Sequence, residues 1–467
     1  MSSLSSKSPK MIVFGLDCAP PRLVFDLWRD ELPCLKRLME KGFYGPLRSS
    51  DPPITIPAWT SMLSGKSPAE LGFYGFKTRR PGTYFEHELV TSHAVRHKRV
   101  WDYLSEANKK SILAGIPQTF PAFPVNGNLV SCFLTPSIDS NCVYPPELKR
   151  ELLAVCPEYS FDVPHFRSER KQEILDLLLA SMKNHFKFFD YLLKAKEWDF
   201  AMMVEIGTDR LQHCFWNDWD PEHPLHDPAS PFKNAMLDFY KALDREIEKI
   251  VAAYGKDAFL LVVSDHGAKS MRGAIALNEW LVEKGYLTLK EYPQSVSPVS
   301  KCRIDWSKTM AWAEGGYYGR LYFNIKGREP EGCMEADQYE KFQRKIRAEI
   351  EGIRGVSSAV LQTKTFTAEE LYGLKTAEAP DLFIYFDDLN YRCLGSLGSK
   401  KVAWIENDMG PDGANHDYDG ILIMNGPGIK AAPVPRKNMR LANVAAAILN
   451  CYGIALFPGA VFTDPQD

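Results

Sequence analysis

Short apolar runs alternate with longer amphipathic stretches along most of this chain. "MIVFGL" (11–16), "KSILAGI" (110–116), "DFAMMVEIG" (199–207), "AFLLVVS" (258–264), "DLFIYF" (381–386) and "GILIMNG" (420–426) are almost wholly apolar. Such runs suit strands buried on both faces of a parallel sheet. Between them, "KQEILDLLLASMKNHFKFFDYLLKAK" (171–196) and "FKNAMLDFYKALDREIEKIVAAYG" (232–255) place apolar residues at helical spacing. The second stops at Gly255, a residue type suited to a helix C-cap. The alternation predicts an α/β fold, a central and mostly parallel sheet with helices on both faces. Two regions break the pattern. Residues 117–170 are rich in proline and polar residues and show no clear strand. Residues 287–375 hold a strand pair in "TMAWAEGGYYGRLYFNIKG" and a charged helix in "QYEKFQRKIRAEIEGI". Both read as insertions capping the sheet of a single domain over 10–467.

The strand ends carry the chemistry. "MIVFGL" runs into Asp17, "MMVEIGT" into Asp209, and "LLVVS" into Asp265 with His266 directly after it. The carboxyl ends of parallel strands share one edge of a sheet, where ligands bind. Three converging carboxylates repel one another unless a cation sits among them. Histidines stand ready as partners: His213 four residues after Asp209, His266, and His416 in "GANHDYDGILIMNGPG". Taken singly, Asp17 also reads as a helix cap and Asp209–His213 as a solvated helical pair. Together they point to metal. Asp and His without Cys suit Zn²⁺, with Mn²⁺ as the alternative. Six such ligands exceed the needs of one tetrahedral ion and fit two ions roughly 4 Å apart.

Composition narrows the field. The chain has 467 residues, 45% hydrophobic and 25% charged, with a net charge of -3, which gives no case for binding nucleic acid or a membrane surface. The first apolar run is too short for a signal peptide or a bilayer span, so a cytoplasmic location is expected. Ten scattered cysteines with no C-x-x-C pair argue for reduced, mostly buried thiols, against a disulfide framework or a cysteine zinc site.

"DPPITIPAWTSMLSG" (51–65) adds four hydroxyls: Thr55, Thr60, Ser61 and Ser64. With "GLD" (15–17), "TIPAWTSMLSGKSP" (55–68), "GTDRLQH" (207–213), "SDHG" (264–267) and "NHDYDGILIMNGPGI" (415–429) in this order, the chain resembles the alkaline phosphatase superfamily over roughly 10–460. The likeness is to its type I phosphodiesterase/nucleotide pyrophosphatase branch, and within it to prokaryotic-type phosphohydrolases and phosphomutases. The resemblance implies an alkaline-phosphatase-like fold and two metal ions. One would be held by Asp209, His213 and His416, the other by Asp17, Thr55, Asp265 and His266. It also implies that Thr55 is the nucleophile, forming a phosphothreonine. A bound cation would lower the pKa of its hydroxyl, and a helix beginning near Pro57 or Ala58 would face its N–H groups toward the phosphoryl oxygens. Thr60, Ser61 and Ser64 would then lie inside that helix, bonded back to its carbonyls or facing solvent.

One departure bears on substrate. The branch carries an asparagine after the proline, where this chain has Ala58 followed by Trp59. Ala58, Trp59, Phe73 and Tyr74 favour the apolar second ester group of a diester. Arg320 or Lys269 would supply the charge a monoester wants. The expected activity is hydrolysis of a small-molecule phosphodiester. A phosphomonoesterase and a phosphonoacetate-hydrolase-like enzyme are alternatives on the same site. A binding scaffold on an inactive fold is the non-enzymatic alternative, against which all seven expected positions are filled. Sulfatases are excluded by the missing C/S-x-P-x-R, and phosphoglycerate mutases by the missing serine nucleophile.

Overall fold

The computed structural model describes residues 9–432 and 434–455; the last residues of the 10–467 domain lie outside these. Nine strands form the central sheet. In chain order they are β1 (Lys10–Leu16), β2 (Phe43–Arg48), β3 (Ser111–Ala114), β4 (Gly127–Val130), β5 (Val143–Tyr144), β6 (Phe200–Glu205), β7 (Ala258–Val263), β8 (Asp419–Asn425) and β9 (Met439–Arg440). Their spatial order is β9-β2-β8-β7-β1-β6-β3-β4-β5. The middle of the sheet, β7-β1-β6-β3-β4, is parallel. β8 runs antiparallel to both neighbours, as β5 does to β4, so the sheet is mixed.

β1 shows why an unbroken apolar run is needed at the centre. Ile12, Phe14 and Leu16 pack on one face with helices Lys171–Ala195, Gly207–Trp219 and Ala235–Tyr254. Met11 and Val13 pack on the other with helices Thr55–Ser64, Val100–Glu106 and Val444–Asn450. Each such side chain contributes about 1.5–3 kcal/mol on full burial.

Several expectations change. Residues 117–170 are not strandless: β4 and β5 extend the central sheet, and Leu148–Val155 is helical. The run at 381–386 does form a strand, Leu382–Tyr385, but in a separate four-stranded sheet with Ala311–Glu314, Gly319–Phe323 and Lys364–Phe366. That sheet, with helix Tyr339–Glu351, has its own apolar core. Gly255 caps its helix with an ordinary right-handed φ of -80°. The helix expected to begin near Pro57 or Ala58 spans Thr55–Ser64, with Pro57 inside its first turn. Prolines are tolerated there because first-turn N–H groups have no intrahelical acceptor. All ten cysteines are free, seven of them buried.

Candidate metal centre

The sheet's register brings the candidate residues to one rim. Leu16 pairs with Glu205 and Gly15 with Val263, so the segments leaving β1, β6 and β7 start side by side. Asp17 follows β1 directly. Asp265 and His266 lie two and three residues beyond Val263. Asp209 sits in the first turn of helix Gly207–Trp219 rather than at a strand end, and His213, four residues on, shares its face. His416 belongs to a short strand, Ala414–Asp417, paired antiparallel with Gly267–Ser270 so that His416 faces Ala268. Thr55 opens helix Thr55–Ser64.

These elements bring all seven together. His213 Nε2 is 3.2 Å and His416 Nε2 3.6 Å from Asp209 Oδ1. His266 Nε2 is 3.1 Å from Asp265 Oδ2, 3.9 Å from Asp17 Oδ1 and 3.3 Å from Thr55 Oγ1. The His266 and His416 rings stack at 3.8 Å. None of the seven is more than 3% exposed, so the cluster is buried.

Asp17, Asp209, Asp265 and His416 are each pinned through one atom and leave another bare. His213 Nδ1 donates to Asp412, His416 Nδ1 to the Pro53 carbonyl and His266 Nδ1 to that of Gly267. With the proton on Nδ1, the His266 and His416 Nε2 lone pairs turn toward carboxylate oxygens, whereas at His213 burial is outweighed by Asp412, Tyr317 and Asp209, which raise the imidazole pKa to about 10. Asp17 Oδ2 accepts from the Trp59 indole at 2.7 Å, Asp209 Oδ2 from Arg210 at 2.6 Å, and Asp265 Oδ1 from the Cys18 N–H at 3.1 Å. Asp17 Oδ1, Asp209 Oδ1, Asp265 Oδ2 and His416 Nε2 are left buried without a hydrogen-bond partner. Acceptors facing acceptors in a dry pocket mark a cation site. Asp17, Asp265 and His266 form one compact donor group, and Cys18, Asp209, His266 and His416 another.

The electrostatics say the same. Burial, then the charge of Asp209, pushes the Asp17 carboxyl well up, and burial with the charge of Asp17 does so for Asp265. Burial also opposes ionisation of Asp209, but His213, His416 and Arg210 overcome it and hold that carboxyl well down. Burial keeps His266 and His416 neutral, the second down to about 4. Neutral imidazoles are the form that binds metal.

The residues assigned to the substrate side lie elsewhere in the packing. Ala58 and Trp59 are fully buried under the sheet, and the Trp59 indole holds Asp17. Gly15 makes room for it: a Cβ there would sit 2.6 Å from the indole ring. Phe73 packs with Ile56, Leu71 and Val90. The Tyr74 hydroxyl meets that of Thr376 at 3.1 Å. Lys269 pairs with Asp417 at 3.0 Å, and Arg320 with Glu314 at 3.4 Å, so both cations already have partners.

The sequence missed the groups that press on the cluster. Tyr317, in the turn between strands Ala311–Glu314 and Gly319–Phe323, stacks on His416 at 3.7 Å. Its hydroxyl lies 3.3 Å from His213 Nε2 and accepts from Arg167 at 2.9 Å. Asp412 ties the same neighbourhood together, bonded to His213, to Arg167 at 2.6 Å and to Arg392 at 2.8 Å. The signals were thin: a tyrosine in "GGYYG" and an aspartate four residues before His416.

The model of one family, type I phosphodiesterase / nucleotide pyrophosphatase, matches residues 11–418. The chain belongs to that family. It is thereby a phosphodiesterase/nucleotide pyrophosphatase family hydrolase with a buried His/Asp cluster suited to metal. A search by sequence among curated proteins finds no match. Among solved structures, phosphonoacetate hydrolase from Sinorhizobium meliloti 1021, in complex with phosphonoformate, is 15% identical with a TM-score of 0.59, covering 97% of this chain and 99% of that one. Human ectonucleotide pyrophosphatase/phosphodiesterase 5 is 12% identical with a TM-score of 0.58, covering 96% of each chain. Its murine counterpart in complex with AMP gives 12% and 0.57 over the same shares. At these identities the likeness is one of fold, alkaline-phosphatase-like.

Proposed function

We propose that this family member is a phosphodiesterase of nucleotide-pyrophosphatase type, working through a phosphothreonine on Thr55 beside two divalent ions, zinc in preference to manganese. The observation that carries the reading is Thr55 Oγ1, buried at the start of a helix and 3.3 Å from His266 Nε2, against the Asp17–Asp265–His266 group. Asp209, His213 and His416 would hold one ion; Asp17, Thr55, Asp265 and His266 would hold the other. Bound there, the ions supply the charge that makes a threonine hydroxyl a competent nucleophile and that steadies an in-line displacement.

The chain's own residues do the rest. Thr55 Oγ1 would form a bond to phosphorus as the bond to the leaving oxygen breaks, its proton passing to the departing group. The oxygen of a water would then bond phosphorus as the Oγ1–phosphorus bond breaks, a water proton returning to Thr55 and the phosphomonoester leaving. The Thr55 and Ile56 N–H groups open the helix without upstream carbonyls inside it, and its dipole favours phosphoryl oxygens. Trp59 holds Asp17, and Asp412 holds His213, in the orientation that keeps each donor atom turned inward. Burial of the whole cluster strengthens each of these interactions. With Lys269 and Arg320 already paired to carboxylates, the extra charge of a monoester lacks a free counter-ion from those two residues, which favours a small-molecule diester or pyrophosphate.

A panel of phosphomonoesters, phosphodiesters and nucleotide pyrophosphates, run with zinc- and manganese-loaded protein, tests this. Diesters or pyrophosphates should lead. Thr55→Ala should lose at least about 10³-fold in kcat while keeping most of its metal. Monoesters leading by a wide margin, or a Thr55→Ala protein of near-normal rate, would sink the reading.

A further inference from the structure

Cys18 reads in sequence as one more buried thiol, with no C-x-x-C partner to suggest a metal role. The fold gives it a different setting. It follows Asp17, is fully buried, and its φ of +64° lies in the left-handed region that side-chain-bearing residues rarely adopt. Such strain persists where surrounding structure enforces it, often at functional sites. Here the Cys18 N–H is held by Asp265 Oδ1 at 3.1 Å. That turn aims the sulfur into the cluster. Its Sγ, a carboxylate oxygen of Asp209 and a ring nitrogen each of His266 and His416 all lie within 4.8 Å of one another. Two atoms of that group's side chains, Asp209 Oδ1 and His416 Nε2, are buried with no partner. The thiol donates to the Gly267 carbonyl at 3.3 Å and has the Asp209 carboxylate beside it.

We propose that the Cys18 sulfur is a protein ligand of the metal centre, a single soft donor among the carboxylates and imidazoles. The inference rests on the two-metal reading above and adds to it the basis of metal choice. On binding, a sulfur–metal bond replaces S–H, the proton passes to solvent, and the contact to the Gly267 carbonyl is given up. A thiolate favours zinc, and cadmium more so, over manganese or magnesium, which prefer oxygen. Asp209 and His416 keep their roles; Cys18 fills a position on the side of the cluster that His266 shares.

X-ray absorption on the zinc-loaded full-length protein tests the proposal, with Cys18→Ser and Cys18→Gly alongside. Glycine accepts the positive φ without strain, so that variant should fold even where serine disturbs the turn. The wild-type protein should show a sulfur scatterer at about 2.3 Å that both variants lack. In metal competition, the zinc-over-manganese preference should fall at least about tenfold in both variants. A wild-type zinc shell of nitrogen and oxygen alone, or an unchanged preference in Cys18→Gly, would overturn the role of Cys18 and leave the hydrolase reading standing. Failure of the wild-type protein to retain zinc or manganese at all would overturn both.

Discussion

Trp59 spends the largest side chain available to supply one N–H at the place where Asp17 needs a donor. The arrangement requires a glycine on β1, because a Cβ at Gly15 would collide with the indole. In the sequence, "PAW" offered only an apolar pair after a threonine, and its natural reading was a substrate wall. Amphipathic side chains such as Trp defeat a pattern argument, since the apolar body sets the pattern while the polar tip does the chemistry. The hydroxyls were easier. Thr60 and Ser64 bond back to the carbonyls of Ile56 and Thr60, as residues inside a helix do, whereas the Ser61 hydroxyl is buried and neither bonds back nor faces solvent. Trp59→Phe keeps most of the packing and removes the donor. Zinc affinity should fall about 10-fold to 100-fold, the usual range for losing an outer partner of a ligand, as read by chelator competition. Unchanged affinity would mean that Asp17 needs no orienting.

At the scale of elements, two segments that interrupt the sheet pattern meet over the cluster. Arg167 comes from the proline-rich stretch at 117–170 and Tyr317 from the strand pair within 287–375, and they join at 2.9 Å. The sequence located the strand pair but not what its turn would touch, because hydrophobic spacing fixes an element's buried face and not the direction in which its loop projects. A departing oxygen held beside His213 would come within hydrogen-bond reach of the Tyr317 hydroxyl, 3.3 Å from His213 Nε2. Tyr317→Phe should then cost little with a nitrophenolate leaving group and about 10²-fold with an alkyl one. A uniform loss across leaving groups would reduce Tyr317 to a packing residue. A second element effect concerns how helix Gly207–Trp219 is seated. Glu205 accepts from the Gly207 N–H at 2.8 Å and from His185 at 2.9 Å. Burial works against charge on His185, but Glu205 outweighs it and raises the imidazole pKa above its ordinary value of about 6.5. A raised folded pKa adds stability that is whole below about pH 6.5 and fades as pH climbs through the folded value. Thermal melts should therefore show the wild type losing its advantage over His185→Gln as pH rises from 6 to 9. A gap independent of pH would mean that the pair contributes no charge interaction.

Across the whole molecule, the sheet's interior was legible and its margins were not. β1, β6 and β7 are long apolar runs because helices cover both faces, and that pattern survives without any other information. β5 and β9 have two residues each, too few for any period, and β4 is half-buried at its start. The direction of β8 was unreadable for a related reason: a strand buried on both faces has the same composition either way along. What the rim assembles is likewise a property of the whole chain. Its donors come from the segments at 17, 55, 209–213, 265–266 and 416, which only the fold brings together. The two ions held there would between them tie down five distant segments and relieve the repulsion among Asp17, Asp209 and Asp265, whereas an unfolded chain offers them no such site. Zinc at 1,000 times its dissociation constant should stabilise the folded state by about 4 kcal/mol per site. The melting midpoint should thus climb with the logarithm of free zinc and drop by several degrees on chelation, reversibly on re-addition. Calorimetry across a zinc–chelator buffer series would read this directly. A midpoint indifferent to both zinc and chelator would mean that the folded cluster captures no ion, and the buried acceptors would then need another source of positive charge.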